Sequence, residues 1–172
     1  MSALKKTALK YALICGVMMI ISHVIQDYAG LKPLVSINAF FIDLIMFFGF
    51  VFFANKEFKE YKNKGILHFW QGISIGIIII FVSCVIFSLF SATYYSVNEA
   101  AFNEYLQDTQ THFEKLRDVS LEQMTVDQFE EQKRNYLNTS VSDLVSGKFF
   151  TKLIIGFLIT PMVAVVLRKQ SN

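Results

Sequence analysis

The sequence contains few of the residues that interrupt helices and few of those that supply catalytic or metal-binding groups. Of its 172 residues, only two are proline, two are cysteine and three are histidine. Cys15 and Cys84 each lie inside an apolar run, without a second cysteine or histidine at metal-ligand spacing, so we expect them to pack against lipid or other helices. Phosphate-binding glycine loops, H-E-x-x-H and G-x-S-x-G are absent, and we therefore expect no enzyme, no cofactor and no metal site.

Charged residues are also scarce and fall in blocks. They make up 17% of the chain, whereas hydrophobic residues make up 53%, which is more than a soluble domain of this length requires. The net charge of +2 comes from dispersed basic residues, and this pattern excludes a nucleic-acid-binding face. The long apolar stretches between the charged blocks indicate that the chain crosses a lipid bilayer.

Four stretches are suited to cross a bilayer, because about 20 apolar residues rising about 1.5 Å each span its hydrocarbon core as a helix. We predict transmembrane helices at about residues 11–29, 34–54, 73–95 and 149–167. The segment 98–147 is rich in Glu, Gln, Asp and Asn, and we predict an extramembrane helical insert there. The predicted fold class is thus an all-α integral membrane protein with four transmembrane helices and a helical insert between the third and the fourth.

The first apolar stretch has a second interpretation as a cleaved signal peptide, because three lysines precede it. The stretch is longer than the apolar region of a typical signal peptide. In addition, the residues Asp27-Tyr28-Ala29-Gly30 that end it do not form a small-x-small cleavage site. We therefore expect the first helix to remain in the membrane.

The distribution of lysine and arginine predicts the orientation, because cytoplasmic flanks of transmembrane helices carry the excess. One side of the predicted bundle holds nine basic residues in short flanks and loops, namely Lys5, Lys6, Lys10, Lys56, Lys59, Lys62, Lys64, Arg168 and Lys169. The other side holds seven, four of them in the long insert, which also contains ten acidic residues. Because the rule counts short loops most strongly, both termini are predicted to be cytoplasmic and the insert to be on the other side.

The insert has the pattern of a helical hairpin. Neither glycine nor proline occurs between Ile77 and Ser146, so the third helix is predicted to continue out of the membrane. An apolar stripe at helical spacing follows, formed by Phe102, Tyr105, Thr109, Phe113 and Leu116. A second helix is predicted to begin at the capping box Ser120–Gln123, after a turn near Val119, with Thr125–Gln128 as a competing start.

Two roles are open for this insert. It packs on itself and only connects two transmembrane helices, or the face formed by Phe102, Tyr105, Phe113 and Leu116 docks a second copy of the chain or an envelope partner. His112 is predicted to be an ordinary solvated position. The second role is our functional hypothesis, a non-enzymatic interaction protein whose other partner is the lipid bilayer.

Asp43 is the clearest polar residue at predicted membrane depth, where an ionisable side chain costs about 2.5 to 3.5 kcal/mol. We expect it to be neutral and hydrogen-bonded to another polar group of similar depth, and the candidates are His23, Ser83 and Thr160. The alternative is a small transporter or channel in which Asp43 and His23 form a proton- or cation-binding pair. Asp27 and Lys152 lie near predicted helix ends, so we expect both to reach water as anchors.

A pair of glycines predicts where the third helix packs. Gly72 and Gly76 form a G-x-x-x-G motif at the start of this helix, and small residues of this kind let another helix approach closely. Packing within one chain and dimerisation are both compatible with the motif, and we favour packing within the chain.

The order of these features resembles a family of small bacterial membrane proteins known as domain of unknown function 4199. The similarity lies in the lysine-rich start, the basic second loop, the segment Gly65–Gly72 leading into the third helix, Tyr94-Tyr95 at its far end, and the acidic insert with Leu121-Glu122-Gln123-Met124. The resemblance implies a bacterial inner-membrane protein with the insert in the periplasm. It implies no catalytic or ligand-binding residue, because the family has no established activity.

Overall fold

Almost all of the residues that the structure describes lie in helices. The computed structural model describes residues 2–31, 34, 35 and 37–168, and nothing is described for the side chain of residue 37. Over these residues there are six α-helices and no strand: α1 (Ala3–Tyr28), α2 (Ile37–Glu57), α3 (Phe69–Val97), α4 (Glu99–Leu121), α5 (Val126–Leu137) and α6 (Val141–Leu167). A π-helical turn, Phe58–Lys62, extends α2. The predicted all-α class is confirmed.

Four of the helices are long and apolar enough to cross a membrane. They are α1, the stretch Asn38–Lys62 that joins α2 to its π-helical turn, α3 and α6. α3 lies between α1 and α6, and α2 packs on α6 and α1. The predicted architecture of four transmembrane helices with a helical insert before the last is therefore confirmed, and the insert consists of α4 and α5.

Glycines bring α3 and α6 together along one part of their length. A Cβ atom added to Gly76 would lie 2.4 Å from Cγ2 of Thr160, and one added to Gly72 would lie 2.9 Å from Cβ of Ala164. On α6, Gly156 lies in the same way against Ile80. Only a hydrogen at these positions leaves room for the neighbouring helix. Gly72 and Gly76 thus pack within the chain.

The insert does not continue from α3 as one helix, which corrects the expectation of an extended third helix. Asn98 interrupts the helical backbone with φ −104° and ψ 84°, and its side chain accepts a hydrogen bond from the backbone N–H of Ala101. Asparagine favours such N-cap positions because its side-chain oxygen satisfies an N–H that has no partner in the first turn. A new helix, α4, therefore begins at Glu99.

The second helix of the insert begins later than predicted. α4 runs through Ser120 to Leu121, and α5 begins at Val126 with Thr125 as its N-cap. Thr125 and Gln128 form the reciprocal capping box, in which each side chain accepts from the backbone N–H of the other residue. The turn near Val119 and the start at Ser120 are therefore wrong, and the competing start is the one that the chain uses.

The last transmembrane helix begins eight residues before the predicted position, at Val141 rather than at residue 149. Ser140 caps it by accepting from the backbone N–H of Asp143, whose carboxylate accepts in return from Ser140. This reciprocal pair starts the helix inside the predicted insert. The insert is correspondingly shorter than residues 98–147.

Candidate binding cleft

Asp43 and Lys152 form an ion pair between α2 and α6. The Nζ atom of Lys152 donates to Oδ2 of Asp43, and the side chains are only 10% and 17% exposed. The same Nζ lies 4.4 Å from the ring centroid of Phe87 on α3, which adds a cation–π contact. The pairing corrects two predictions: Lys152 is a buried partner rather than an anchor in water, and the partner of Asp43 is a lysine.

The early start of α6 explains this pairing. Lys152 lies eleven residues after Val141, which is about three helical turns from the beginning of the helix. A position at that depth is no longer near the end of the helix, so its charge requires a partner. Asp43 on the neighbouring helix is that partner.

The other three polar residues predicted to surround Asp43 make hydrogen bonds elsewhere. Ser83 donates to the backbone carbonyl of Ala12 at 2.9 Å, and Thr160 donates to that of Gly156 at 2.9 Å. His23 and the hydroxyl of Tyr95 are hydrogen-bonded at 3.0 Å. The structure therefore does not unite His23, Ser83 and Thr160 with Asp43 in one polar site.

Asp27, the other predicted anchor, accepts a hydrogen bond from the hydroxyl of Tyr94 at 2.9 Å. Tyr94 and Tyr95 are adjacent on α3 and bond to Asp27 and His23 of α1. These two contacts fasten the end of α1 to the end of α3. They also bring one carboxylate to the end of the bundle where the insert lies.

The Asp43–Lys152 pair borders a cavity of about 840 Å³. We call it the cleft; it lies between the start of α2 and α6, and α4 of the insert extends over it. Its lining residues come from four segments: Leu34, Val35, Ala39, Phe40, Asp43, Asp108, Thr111, His112, Lys115, Leu116, Lys148, Thr151, Lys152 and Ile155. The volume is in the range of cavities that hold small-molecule ligands.

Lys148 is the second basic group of α6 at the cleft, one helical turn closer to the insert than Lys152. Its Nζ donates to the backbone carbonyl of Leu34, three residues before α2 begins. An ammonium group has three donors, so this bond leaves two for another acceptor. Sequence reasoning did not select Lys148 as a site residue; its spacing of four residues from Lys152, on one helix face, was the signal.

The described charges of the cleft are unequal. Among the described residues, three lysines and two aspartates line it, and Asp43 is paired with Lys152. The insert as a whole is acidic, with ten acidic and four basic residues between positions 98 and 147. The positive charge at the cleft is therefore local, and it meets apolar walls supplied by residues such as Phe40 and Ile155.

A second, much smaller cavity of about 30 Å³ adjoins the cleft and shares Leu34, Val35 and Asp108 with it. The remaining lining residues of this side cavity are Asp27, Gly30, Tyr95, Ala101, Glu104 and Tyr105. Its walls are thus acidic and aromatic, whereas those of the cleft are basic and aliphatic. Burial raises the pKa of Tyr105.

The four residues of the predicted interaction face do not form one exposed surface. Phe113 packs against Phe129 at 5.9 Å and Tyr136 at 5.3 Å between ring centroids, so α5 covers it. Phe102 stacks on Tyr105, which lines the side cavity. Leu116 is 42% exposed and lines the cleft, as does His112. The hairpin thus packs partly on itself and partly over the bundle.

The described residues contain no group of three or more His, Cys, Asp or Glu side chains that could hold a metal ion. The described residues of the site supply a buried ion pair, two further ammonium groups, the carboxylate of Asp108 and apolar walls at the end of a bundle of apolar helices. Ammonium groups beside apolar walls are suited to contact an amphiphilic anion.

The four apolar helices define an α-helical multi-pass membrane protein. The family described as "Protein of unknown function (DUF4199)" matches residues 10–169, and the chain belongs to this family. The chain matches no curated protein and no solved structure in the corresponding comparisons.

Proposed function

We propose that this protein binds a phospholipid of the surrounding bilayer in the cleft, with the lipid phosphate at Lys148. The observation that carries the proposal is the position of an ammonium group with free donor capacity in an apolar cavity of about 840 Å³ at the end of a membrane bundle. A phosphate oxygen accepts strong charge-assisted hydrogen bonds from lysine. The protein acts as a binding protein and not as an enzyme.

The order of groups along the cleft supports this occupant. Lys148 bonds to Leu34, three residues before α2, and therefore lies near the end of the bundle where α2 begins. Phe40 and Ile155 lie further along their helices, in the apolar part of the bundle. A phospholipid in a bilayer has the same order, with its phosphate at the boundary and its acyl chains inside.

The buried ion pair supports a binding role rather than a proton pathway. Asp43 is compensated by Lys152, and His23 is hydrogen-bonded to Tyr95. The ring of Phe87 contacts both His23 and Lys152, so the two polar pairs are neighbours with separate partners. A proton- or cation-binding pair needs the two groups close together, and their separate partners weigh against the transporter alternative. Association of the insert with a second copy or an envelope partner stays a prediction. Less of the apolar stripe is available for it, because α5 covers Phe113.

We also propose that the protein resides in the bacterial inner membrane, with both termini in the cytoplasm and the insert in the periplasm. The nine basic residues of the short flanks and loops support this orientation. With it, the cleft opens at the outer leaflet, and the proposed lipid is one of that leaflet.

Lipid binding is tested with the purified chain in detergent by native mass spectrometry. Phosphatidylglycerol and a diacylglycerol with the same acyl chains are offered at equal concentration. We expect only the phospholipid to bind, and we expect Lys148→Gln to weaken it about tenfold, because a hydrogen bond to a charged group contributes about 1.5 to 3 kcal/mol.

Lys133→Gln is the matched control, because it removes the same charge from the insert at a lysine that faces Glu114 and does not line the cleft. It should bind like the wild type. Equal binding of both lipids, or equal loss in both variants, would overturn the proposal.

Orientation is tested by labelling intact cells with a membrane-impermeant maleimide. Cys15 and Cys84 are buried and should not react. Gln123→Cys in the insert should be labelled, whereas Lys62→Cys, an exposed position at the other end of the bundle, should react only after lysis. The reverse pattern would place the insert in the cytoplasm.

A further inference from the structure

The cleft and the side cavity are neighbours with opposite charge. The two cavities share the wall formed by Leu34, Val35 and Asp108. On one side of this wall lie the ammonium groups of Lys148 and Lys152, and on the other lie the carboxylates of Asp27 and Glu104. A ligand that extends across the wall meets positive charge first and negative charge next.

We infer that the headgroup of the bound phospholipid carries a primary ammonium group, as phosphatidylethanolamine does, and that the side cavity binds this ammonium. The inference rests on the proposed function, because it assumes that the phosphate lies at Lys148. In such a headgroup a two-carbon linker joins the phosphate to the ammonium. With the phosphate at the lysines of the cleft, the ammonium reaches the carboxylates of the side cavity. The occupant is a membrane lipid, since the cleft behind the phosphate is lined by apolar residues of α2 and α6.

The size of the side cavity restricts the cation. A water molecule requires about 10 to 15 Å³ of such volume, so a cavity of about 30 Å³ favours a group of similar size. A primary ammonium is about as large as a water molecule. A trimethylammonium group carries three additional carbon atoms, so we expect it to fit this space less well than a primary ammonium.

The walls of the side cavity supply acceptors for the three N–H donors of a primary ammonium. Glu104 is an exposed carboxylate at its rim, and Asp27 uses one carboxylate oxygen for Tyr94, which leaves its other oxygen available. Tyr95 and Tyr105 add aromatic rings, which attract cations. A quaternary ammonium has no N–H to donate, so it gains nothing from the carboxylate acceptors beyond charge.

Headgroup selectivity tests the inference. The purified full chain is offered phosphatidylethanolamine, phosphatidylcholine and phosphatidylglycerol of identical acyl chains, and bound lipid is measured by native mass spectrometry. We expect the wild type to retain phosphatidylethanolamine at least tenfold better than phosphatidylcholine. Glu104→Gln should reduce this preference at least threefold and leave the binding of phosphatidylglycerol unchanged.

Glu99→Gln is the matched control, because Glu99 is an exposed glutamate of the same helix that lines neither cavity. It should keep the wild-type preference. Circular dichroism of all variants should be unchanged, because both glutamates are exposed.

Each other outcome has a defined meaning. Equal retention of phosphatidylethanolamine and phosphatidylcholine by the wild type would overturn the ammonium site while the phosphate site stands. A preference that Glu104→Gln does not alter would overturn the assignment to the side cavity. Displacement of bound lipid by soluble glycerophosphoethanolamine alone would overturn the lipid as occupant. A normal affinity of Lys148→Gln for phosphatidylglycerol would instead overturn the proposed function itself.

Discussion

The two ends of the four-helix bundle each contain a lysine–carboxylate pair, and the pair at the insert end borders the cleft. At the insert end, where α2 and α6 begin, Lys152 and Asp43 are 10% and 17% exposed. At the opposite end, where α1 begins and α2 ends, Lys10 pairs with Glu57, and these side chains are 50% and 24% exposed. Tyr11 also donates to Glu57 there, at 2.8 Å.

The contact between α3 and α6 is close toward the opposite end of the bundle. Gly72 and Gly76 lie near the start of α3 and bring it against the second half of α6 at Ala164 and Thr160. Toward the insert end, α6 presents long side chains such as Lys148 and Lys152. Helices that carry glycine at their contact approach closely.

A lysine–carboxylate pair has a different role when it is exposed to solvent and when it is buried. An exposed pair is solvated and contributes at most about 1 kcal/mol. A buried pair must be compensated within the protein, so each partner depends strongly on the other. Beside a cavity, the buried pair also makes the surroundings polar enough to hold a charged headgroup.

Replacing the lysine of each pair should distinguish the two pairs by the loss in the free energy of unfolding. Lys152→Met leaves the carboxylate of Asp43 buried without its partner, and we expect it to lower the free energy of unfolding by about 3 to 5 kcal/mol. Lys10→Met at the opposite end should cost less than about 1 kcal/mol. Chemical denaturation in micelles measures both.

The double variant Asp43→Leu with Lys152→Met should recover most of the loss, because no buried charge remains. If the two single lysine variants were equally stable, the contrast between the ends would not hold.

The next effect concerns the insert that extends over the cleft. Phe129 is 2% exposed and packs on Phe113, so Phe129→Ala should destabilise the hairpin of α4 and α5 by about 3 kcal/mol. Hydrogen exchange should accelerate in both insert helices and remain slow in α1 and α3. Val126→Ala, at a residue of α5 that is 52% exposed, is the control and should change little. Faster exchange throughout the bundle would show that the insert supports both ends alike.

A substitution at the opposite end tests its close helix contact. Gly76→Ala places a methyl group 2.4 Å from Cγ2 of Thr160, and we expect a loss of about 1 to 3 kcal/mol. Gly49→Ala on α2 is the matched control, since an added Cβ meets nothing within 4 Å there. It should be neutral or stabilise by up to about 1 kcal/mol. Equal stability of the two variants would contradict a tight α3–α6 contact.

The smallest effect distinguishes the two possible starts of α5. Thr125→Ala removes an N-cap hydrogen bond and should destabilise the hairpin by about 1 kcal/mol. Ser120→Ala should cost less than about 0.5 kcal/mol, because Ser120 lies near the end of α4 and does not cap α5. Local hydrogen exchange of α5 measures the difference, and a larger effect of Ser120→Ala would restore the earlier start.

The insert shows how far local sequence signals reach. Its two helices follow from composition and periodicity, but Ser120–Gln123 and Thr125–Gln128 are both acceptable capping boxes. The packing of Phe129 on Phe113 fits the later start, and that contact joins residues of different helices. A local pattern holds no information on such a contact.

The candidate site shows the same limit. Asp43 stands out in the sequence because a carboxylate inside an apolar run is costly. Its partner Lys152 did not stand out, because it lay near the predicted end of the last helix, where a lysine reaches water and needs no partner. The cap at Ser140 starts α6 earlier and places Lys152 three turns inside it.

The order of amino acids was enough to predict four membrane-spanning helices and a polar helical hairpin, because apolar runs of about 20 residues have no stable alternative to lipid. The folded chain was needed to show which charges meet, where the helices touch and where they separate to form a cleft. These features depend on the relative rotation and offset of helices that are distant in the chain. Hydrophobicity reports how deep a residue lies, and it does not report which side of its helix meets a neighbour.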